Sequence, residues 1–521
     1  MDLHRTVVLR TSIIFLFILV IALLSWISWK AVDNVCAMSP EAYRTYSPKL
    51  LADGSGGAII VFADRHGGDD RTIYVRRVYV MNNIVHTSSM TDICTANSNK
   101  GGPDIISDGL GGAIISWRDH RNDNWYEIYA QRIDASGNNL WNADGMPIPS
   151  QNMVPNGEGG AIIIVSALPL NARGIDKAGY IVWATYDGWP DNVQQWVNSA
   201  LPVSDGAGGA IFPWIQTLDY DHYEIYAQRL DNSGNIQWNT GVLCGLSAGI
   251  TSELRIISDG SGGAIIAWTE QNSATKLYAQ RVDTSGKTLW TSNGVSIKTI
   301  SDYLLDFQII SDGSGGAILA WEQEHEIYTQ RVDTSGNILW KPEGIAACTT
   351  DTYQREPRLV SDGSDGVIIV WEDYRSGRNI YAQRVDDSGN ILWDSEGVYI
   401  SHFRGDLLNL QIVSNGSGGA IILGEEGERY PDLPDIFVEI VDSNGQVAQS
   451  ENTVYPGPHL RTLKPEPRNT YPNKPMQHSQ GPEPPNRLID TSVLIIVIVA
   501  AIAVAFVIFL TVRLLARKRN N

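Results

Sequence analysis

Glycine-rich segments are the first candidates for chemistry in this sequence. Residues 311–317 read SDGSGGA, and a glycine-rich loop after an apolar run can cradle a phosphate. The pattern D/N-G-x-G/D-G occurs eight times, however, beginning at Asp53, Asp108, Asn156, Asp205, Asp259, Asp312, Asp362 and Asn415. Its copies lack a following Lys-Ser/Thr pair and lead into β-like runs. The recurrence therefore indicates structural turns, in which glycine supplies positive φ angles and aspartate accepts backbone hydrogen bonds.

Other patterns with catalytic or metal-binding potential are weak. Residues 245–249, GLSAG, match the nucleophile elbow but lie between two β-rich repeats, where that motif has no helix to enter. The nine histidines are scattered and the four cysteines lack metal-ligand spacing. One aspartate per turn supplies too few oxygens for calcium, so repeated calcium sites are a minor alternative. The sequence therefore predicts no catalytic residues and no cofactor.

A repeat of 48 to 55 residues organises the middle of the chain. In residues 306–340, DFQIISDGSGGAILAWEQEHEIYTQRVDTSGNILW, short β-branched and aromatic runs alternate with turn residues. Four such strands form an antiparallel meander, and meanders repeated around an axis form a propeller. The predicted fold is thus all-β, a β-propeller of four-stranded blades. We expect eight blades; repeats 3 and 8 are degenerate, so seven blades with an edge element is the alternative, and residues 32–46 could lend a strand to the last blade.

The repeat SDGxGGAIIxW…IYAQRVDxSGNxLW resembles a propeller-like repeat of exported and surface proteins in bacteria and archaea, most of them without an assigned function. The resemblance covers about residues 47–450 and is nearly letter for letter over Ile327–Trp340 and Ile380–Trp393. Asp333–Trp340 is also similar to the tryptophan-docking motif of quinoprotein propellers, but is one residue shorter between its Asp and Gly. The resemblance implies a surface propeller and transfers no catalytic residue.

Two apolar runs predict how the repeats sit relative to a membrane. Residues 12–29 and 492–512 carry no charge and are long enough to cross about 30 Å of hydrocarbon. Basic residues flank the outer end of each run, which predicts cytoplasmic termini, a cell-membrane location and extracellular repeats. A cleaved signal peptide is the alternative for the first run. The predicted segments are 1–31 (transmembrane anchor or signal peptide), 32–46 (connector), 47–451 (propeller), 452–489 (Pro-rich stalk), 490–513 (transmembrane helix) and 514–521 (basic cytoplasmic tail).

Residues that recur in nearly every repeat are expected to be architectural. The arginines of IYAQRVD should pair with a recurring aspartate or a turn carbonyl: Arg132, Arg229, Arg281, Arg331 and Arg384. The tryptophans that follow the glycine-rich turn should pack between blades: Trp117, Trp214, Trp268, Trp321 and Trp371. A ligand site requires differences between blades, so it should lie where the repeats vary.

One variable position lies six residues before each turn. It is acidic in three consecutive repeats, at Glu253, Asp306 and Glu356. If the first strand of each blade is innermost, these side chains line the central channel. They then form an acidic cluster that could hold calcium or the basic group of a ligand. The simpler interpretation, which we favour, is a solvated rim that Arg255 and Arg358 partly neutralise.

A second variable segment follows the tryptophan of each repeat. Repeats 1, 2 and 7 carry an acid with an arginine there, and the second loop adds two aromatic residues; the set is Asp64, Arg65, Asp119, Arg121, Trp125, Tyr126, Asp373 and Arg375. Loops on a rigid scaffold commonly determine binding specificity, so this set is the predicted face for a protein or glycan partner. The net charge of −19 disfavours nucleic acid. The predicted function is a membrane-anchored binding or scaffold module and not an enzyme; a glycan hydrolase or lyase and a structural envelope component are the alternatives.

Overall fold

The structure is a computed structural model that describes residues 46–65, 71–81, 84–122, 126–167, 170–186, 196–219, 222–239, 241–251, 253–300, 306–350, 352–403, 406–427 and 435–450. These ranges contain 34 β-strands. Within them no helix is long and apolar enough to span a membrane. The apolar runs 12–29 and 492–512 lie outside the described ranges, so the two transmembrane helices stay predictions.

The strands form eight sheets that follow one another along the chain. Those from the first four repeats are β1 (Tyr46–Ala52), β2 (Ala58–Arg65), β3 (Arg71–Met81), β4 (Ile84–Thr87), β5 (Thr91–Cys94), β6 (Lys100–Ser107), β7 (Ala113–Asp119), β8 (Glu127–Ile133), β9 (Met146–Ile148), β10 (Met153–Pro155), β11 (Ala161–Ser166), β12 (Asn171–Ile175), β13 (Ile181–Tyr186), β14 (Trp196–Ser199), β15 (Val203–Ser204), β16 (Ala210–Asp219), β17 (His222–Leu230) and β18 (Val242–Ser247). Those from the last four are β19 (Leu254–Ser258), β20 (Ala264–Gln271), β21 (Thr275–Val282), β22 (Val295–Ile300), β23 (Phe307–Ser311), β24 (Ala317–Gln323), β25 (Glu326–Val332), β26 (Ile345–Ala346), β27 (Gln354–Ser361), β28 (Val367–Asp373), β29 (Arg378–Val385), β30 (Val398–Phe403), β31 (Asp406–Ser414), β32 (Ala420–Gly427), β33 (Asp435–Val441) and β34 (Gln449–Ser450). Five sheets are simple four-stranded antiparallel meanders, as predicted for a blade.

In each sheet the strand that leads into the glycine-rich turn lies at the axis; in blade 4 this is β15, which follows the short strand β14. Each of these strands contacts the next one around the ring, and the last contacts the first, in the order β1, β6, β10, β15, β19, β23, β27 and β31. The inner strands therefore form a closed circle, and the molecule is an eight-bladed β-propeller. The prediction of eight blades is confirmed, and the seven-bladed alternative is wrong.

The circle closes between blades 8 and 1. β34 pairs in parallel with β4, so the last strand joins the sheet of blade 1. At the axis, the Gln411 side chain donates to the carbonyl of Pro48 (2.7 Å) and accepts from the N–H of Leu50 (3.0 Å). One hydrophobic cluster also combines both blades. Of residues 32–46, only Tyr46 is described, and it begins β1 of the first blade.

The recurring turn holds itself together with its aspartate. Oδ1 of Asp312 accepts the N–H groups of Ser314 (2.9 Å) and Gly316 (2.7 Å), and Oδ2 binds Arg331 through Nε and Nη2, each at 3.0 Å. Six blades carry this aspartate–arginine pair: Asp53–Arg77, Asp108–Arg132, Asp205–Arg229, Asp259–Arg281, Asp312–Arg331 and Asp362–Arg384. The architectural interpretation of the recurring arginine is confirmed.

The same arginine connects each blade to the next. Arg331 donates through Nη1 to the carbonyl of Asp387 (3.1 Å), which also accepts the indole N–H of Trp340 (3.0 Å). In five blades a turn carbonyl accepts both an arginine N–H and an indole N–H from the preceding blade; these carbonyls belong to Lys177, Thr284, Thr334, Asp387 and Ser443. Successive blades are therefore fastened at the turn between the third and fourth strands.

The predicted tryptophan packing between blades is also present. All five tryptophans after the glycine-rich turn are buried: Trp117, Trp214, Trp268, Trp321 and Trp371. Trp321 of blade 6, for example, lies in one cluster with Ile265 and Ile297 of blade 5. Burying an aromatic side chain of this size contributes strongly to holding two blades together.

Blades 3 and 8 lack both the aspartate and the arginine of the recurring pair. The position of Arg331, opposite Ile318, is taken by Gly174 in blade 3 and by Ile440 in blade 8. Both blades have asparagine in place of the turn aspartate. The asparagine side chain still accepts the turn N–H groups. Because it is uncharged, it does not need an arginine beside it. The turn thus carries a negative charge only where a guanidinium balances it.

Candidate functional site

The two ends of the propeller differ in how strongly the blades vary. The turn end carries the turns between strands 1 and 2 and between strands 3 and 4, where the recurring Asp, Gly and Arg residues are bonded to one another. The loop end carries the loops between strands 2 and 3 and the connections into the next blade. Because the recurring polar groups are satisfied internally, ligand selectivity is expected at the loop end.

The three predicted acids meet two arginines at the loop end of the inner strands. Arg255 Nη1 lies 2.8 Å from Glu253 Oε2, and Arg255 Nη2 lies 3.5 Å from Asp306 Oδ1. Arg358 Nη1 lies 2.9 Å from Asp306 Oδ2, and Arg358 Nη2 lies 3.9 Å from Glu356 Oε2. These five residues form a chain of alternating charge across blades 5 to 7, which we call the axial ladder.

Pairing with arginine changes what the acidic cluster can do. The ladder side chains are between 22% and 41% exposed, so each ion pair adds little stability, but together they offset most of the local negative charge. Among the described residues, no group of three or more His, Cys, Asp or Glu side chains could hold a metal ion. Calcium binding by Glu253, Asp306 and Glu356 stays an untested prediction.

Four inner strands carry a β-bulge at the loop end. Ser47, Gly102, Glu356 and Asn409 have φ angles between 49° and 55°, and the pairing register shifts beside each of them. A bulge bends its strand and redirects side chains. The bulged strands belong to blades 7, 8, 1 and 2, which are neighbours around the circle. The loop end is therefore asymmetric, whereas the turn end is nearly regular.

Two buried glutamates, one in blade 6 and one in blade 7, lie next to the Glu356 end of the axial ladder. Glu322 is 4% exposed and Glu372 is fully buried. Glu372 Oε2 lies 2.9 Å from Arg355 Nε and accepts the hydroxyl of Tyr374 at 2.8 Å. Burial raises the pKa of Glu322, against the opposing effects of His325 and Arg355. Sequence reasoning missed this group, although one signal was available: both glutamates directly follow a recurring tryptophan.

Replacing Glu322 by glutamine should stabilise the protein at pH 7. A raised folded-state pKa means that protonation of Glu322 favours folding below its usual pKa of 4.5. That stability is lost as the pH rises through the folded-state value. Glutamine cannot ionise, so urea unfolding should give Glu322→Gln a higher midpoint than the wild type at pH 7 and a smaller difference at pH 4.5. Glu343→Gln, at an exposed position, is the matched control; a lower midpoint for Glu322→Gln at pH 7 would contradict the prediction.

Aromatic side chains form the exposed part of this region. The His325 ring lies 4.3 Å from the Tyr353 ring, which meets Tyr374 edge-on at 5.2 Å. His325 is 58% and Tyr353 40% exposed. His325 sits on the hairpin between β24 and β25, and Tyr353 directly precedes β27, so two adjacent blades contribute to one surface. We call His325, Tyr353 and Tyr374 the loop-end aromatic cluster.

Some residues of the predicted partner face are buried and others are exposed. Asp64, Asp119 and Asp373 are at most 1% exposed, so these three acids cannot contact a partner, which corrects that part of the prediction. Tyr126 is half exposed, with the guanidinium carbon of Arg118 5.2 Å from its ring centre. Trp125 and the side chain of Arg65 lie outside the described residues.

In blades 2 and 7 the acid and the arginine form an internal bridge. Asp119 accepts from Trp117 Nε1 (3.0 Å), Ser98 Oγ (2.6 Å) and Arg121 Nη2 (2.6 Å). Burial alone would raise the pKa of Asp119, but these hydrogen bonds outweigh it and lower the pKa to about 2. The Arg121 guanidinium lies 3.7 Å from the Tyr129 ring. The same arrangement recurs with Asp373, Trp371, Arg375 and Tyr381. The Arg121 and Arg375 side chains are mostly buried, at 21% and 13% exposed.

Comparisons with known proteins find similar propellers but no relative at the level of sequence. No family model and no curated protein sequence matches this chain. The β-propeller domain of the Trilobed protease from Pyrococcus furiosus is 11% identical with a TM-score of 0.37, over 79% of this chain and 100% of that one. Prolyl oligopeptidase B from Galerina marginata is 11% identical with a TM-score of 0.39, over 77% of this chain and 49% of that one, so this chain spans about half its length. NanB sialidase from Streptococcus pneumoniae is 11% identical with a TM-score of 0.29, over 76% of this chain and 67% of that one. Similarity this low says nothing about the activity of the present chain.

Proposed function

We propose that this chain is a membrane-tethered, extracellular β-propeller that binds a protein or glycan ligand through its loop end. The observation that carries the proposal is the exposed loop-end aromatic cluster beside the axial ladder. Both lie at the end of the ring where the blades differ. Aromatic side chains that stand partly free on a rigid scaffold are typical anchors for a partner.

The composition of the chain supports the extracellular placement. The apolar runs 12–29 and 492–512, each flanked by basic residues on its outer side, fit a chain anchored at both ends with the repeats outside. The net charge of −19 suits a solvated domain that does not bind the anionic membrane surface.

The arrangement of acids supports binding over glycan hydrolysis. A typical glycosidase needs two accessible carboxyl groups about 5–10 Å apart across the scissile bond. Here Glu322 and Glu372 are buried, and the ladder acids Glu253, Asp306 and Glu356 are each within 4 Å of an arginine nitrogen. These carboxylates are engaged in the protein's own ion pairs and are poorly placed to transfer a proton to a substrate.

The test combines a binding measurement with a topology measurement on the full-length chain. Full-length protein in nanodiscs is applied to a glycan array and to the isolated envelope fraction of the expressing cells. For His325→Ala/Tyr353→Ala we expect the apparent affinity to fall about thirtyfold, because truncating an aromatic anchor costs roughly 2 kcal/mol. Protease added to intact cells should remove the repeats.

A matched control separates the loop end from the rest of the surface. Leu110→Ala/Leu339→Ala removes two exposed apolar side chains near the turn end and should bind like the wild type. Equal losses in both double variants would overturn the loop-end assignment. Repeats that resist external protease on intact cells would overturn the extracellular placement.

A further inference from the structure

A cleft lies between blades 3 and 4 at the turn end, far along the chain from the loop-end aromatic cluster. Its volume is about 740 Å³, within the usual range for small-molecule sites. Residues from turns of both blades and from strand β13 line it, including Asn156, Glu158, Lys177, Trp183, Asn232 and Ser233. We call it the blade 3 cleft.

The cleft exists where blade 3 lacks the recurring arginine. In blade 6, Arg331 fills the corresponding space and joins Asp312 to the carbonyl of Asp387. In blade 3, register places Gly174 at the arginine position. A side chain cannot simply be restored there, because a Cβ on Gly174 would lie 2.2 Å from the Trp183 ring. An arginine therefore cannot replace Gly174 unless the Trp183 ring moves.

Two polar groups in the cleft have spare hydrogen-bonding capacity. The carbonyl of Asn232 accepts the indole N–H of Trp183 at 2.8 Å. Its counterpart, the carbonyl of Asp387, accepts an arginine as well. Asn156 Oδ1 accepts the N–H groups of Glu158 (3.0 Å) and Gly160 (2.9 Å), which fixes the amide so that Nδ2 takes the place of the carboxylate oxygen. Within the described residues, Nδ2 has a single 3.5 Å contact, with the carbonyl of Ile175.

These groups define the chemistry of a ligand. The vacant arginine position presents a donor, Asn156 Nδ2, and an acceptor, the carbonyl of Asn232, whereas the six blades with the aspartate–arginine pair present two acceptors to their arginine. A guanidinium has no acceptor and would face the Asn156 N–H unfavourably. A hydroxyl both donates and accepts, so a compound with neighbouring hydroxyls satisfies both groups.

Strand β13 adds apolar surface beside the cleft. Val182, which is 61% exposed, and Trp183 both line the cleft. β13 carries no charged residue. An exposed aliphatic side chain and a partly exposed indole next to hydroxyl-binding groups match the mixed apolar and polar faces of a sugar ring.

We infer that the blade 3 cleft binds a neutral carbohydrate. The site is separate from the loop-end surface and does not depend on the function proposed above. Its polar part is the vacant arginine position between Asn156 and Asn232, and its apolar part is formed by Val182 and Trp183.

The test uses one substitution at two equivalent turns. Asn156→Asp keeps the turn, since six blades have aspartate there, but replaces the donor with a carboxylate. Binding of maltohexaose, cellohexaose and mannohexaose to the full-length protein in nanodiscs is measured by saturation-transfer NMR and calorimetry. We expect at least one to bind the wild type, and Asn156→Asp to weaken it about tenfold through loss of one hydrogen bond. The matched control is Asn415→Asp in blade 8, which also lacks the arginine, and it should leave binding unchanged.

A second variant and a second probe test the same inference independently. Ser233→Trp, at an exposed turn residue that lines the cleft, should block sugar binding without altering the core. No binding by any of the three hexasaccharides at millimolar concentration would overturn the inference. So would equal effects of Asn156→Asp and Asn415→Asp, or binding of arginine amide by Asn156→Asp with sugar binding unchanged, which would mark a cation site.

Discussion

Replacing Arg331 by isoleucine should lower the free energy of unfolding by about 3–5 kcal/mol, because it leaves a buried carboxylate without its cation. The Asp312 side chain is 1% exposed and the Arg331 side chain 10% exposed. The loss should appear as a lower midpoint of chemical denaturation, followed by tryptophan fluorescence of the full-length protein in detergent.

The double variant Asp312→Asn/Arg331→Ile is the matched control. It reproduces the pair that blade 8 already uses, Asn415 with Ile440, and should recover most of the loss. A double variant as unstable as the single one would show that the arginine acts through its bond to the carbonyl of Asp387 and not by balancing Asp312.

Replacing Trp321 by alanine should have an effect of similar size, about 3–5 kcal/mol, since removing a buried aromatic side chain leaves a cavity. Trp321 has no exposed surface and packs against residues of blades 5 and 6. The same denaturation experiment measures it. Tyr353→Ala, which truncates an aromatic ring that is 40% exposed, is the control and should change the midpoint much less. Equal midpoints for the two variants would contradict the role of Trp321 in joining blades.

The repeat could be predicted because its information is local. Turn residues such as Asp312 and Gly313 determine chain direction within four residues, and eight copies showed that they serve geometry and not a ligand. The interpretation of Arg331 and Trp321 as architectural followed from their recurrence and is confirmed. The blade number followed from the same count, and the closed inner circle confirms it.

The candidate site was less predictable because its contacts join blades far apart in the sequence. Neutralisation of the acids by Arg255 and Arg358 was anticipated, but the sharing of Asp306 between both arginines depends on three strands meeting at the axis. Asp119 and Asp373 looked like loop residues, since alternation cannot reveal that an indole N–H two residues earlier requires a buried acceptor. The blade 3 cleft depends on one glycine, Gly174, and on its register with β13.

The way in which the circle closes has a mechanical consequence. The described part of the chain enters at β1 and leaves at β34, and both strands belong to the sheet of blade 1. Tension between the two ends of the described chain is therefore transmitted first through the sheet of blade 1 and through its contacts with blade 8. The two pairings of β34 with β4 are the first to bear it. Under load the protein should open as a ring that is cut at one place, with the remaining blades still folded.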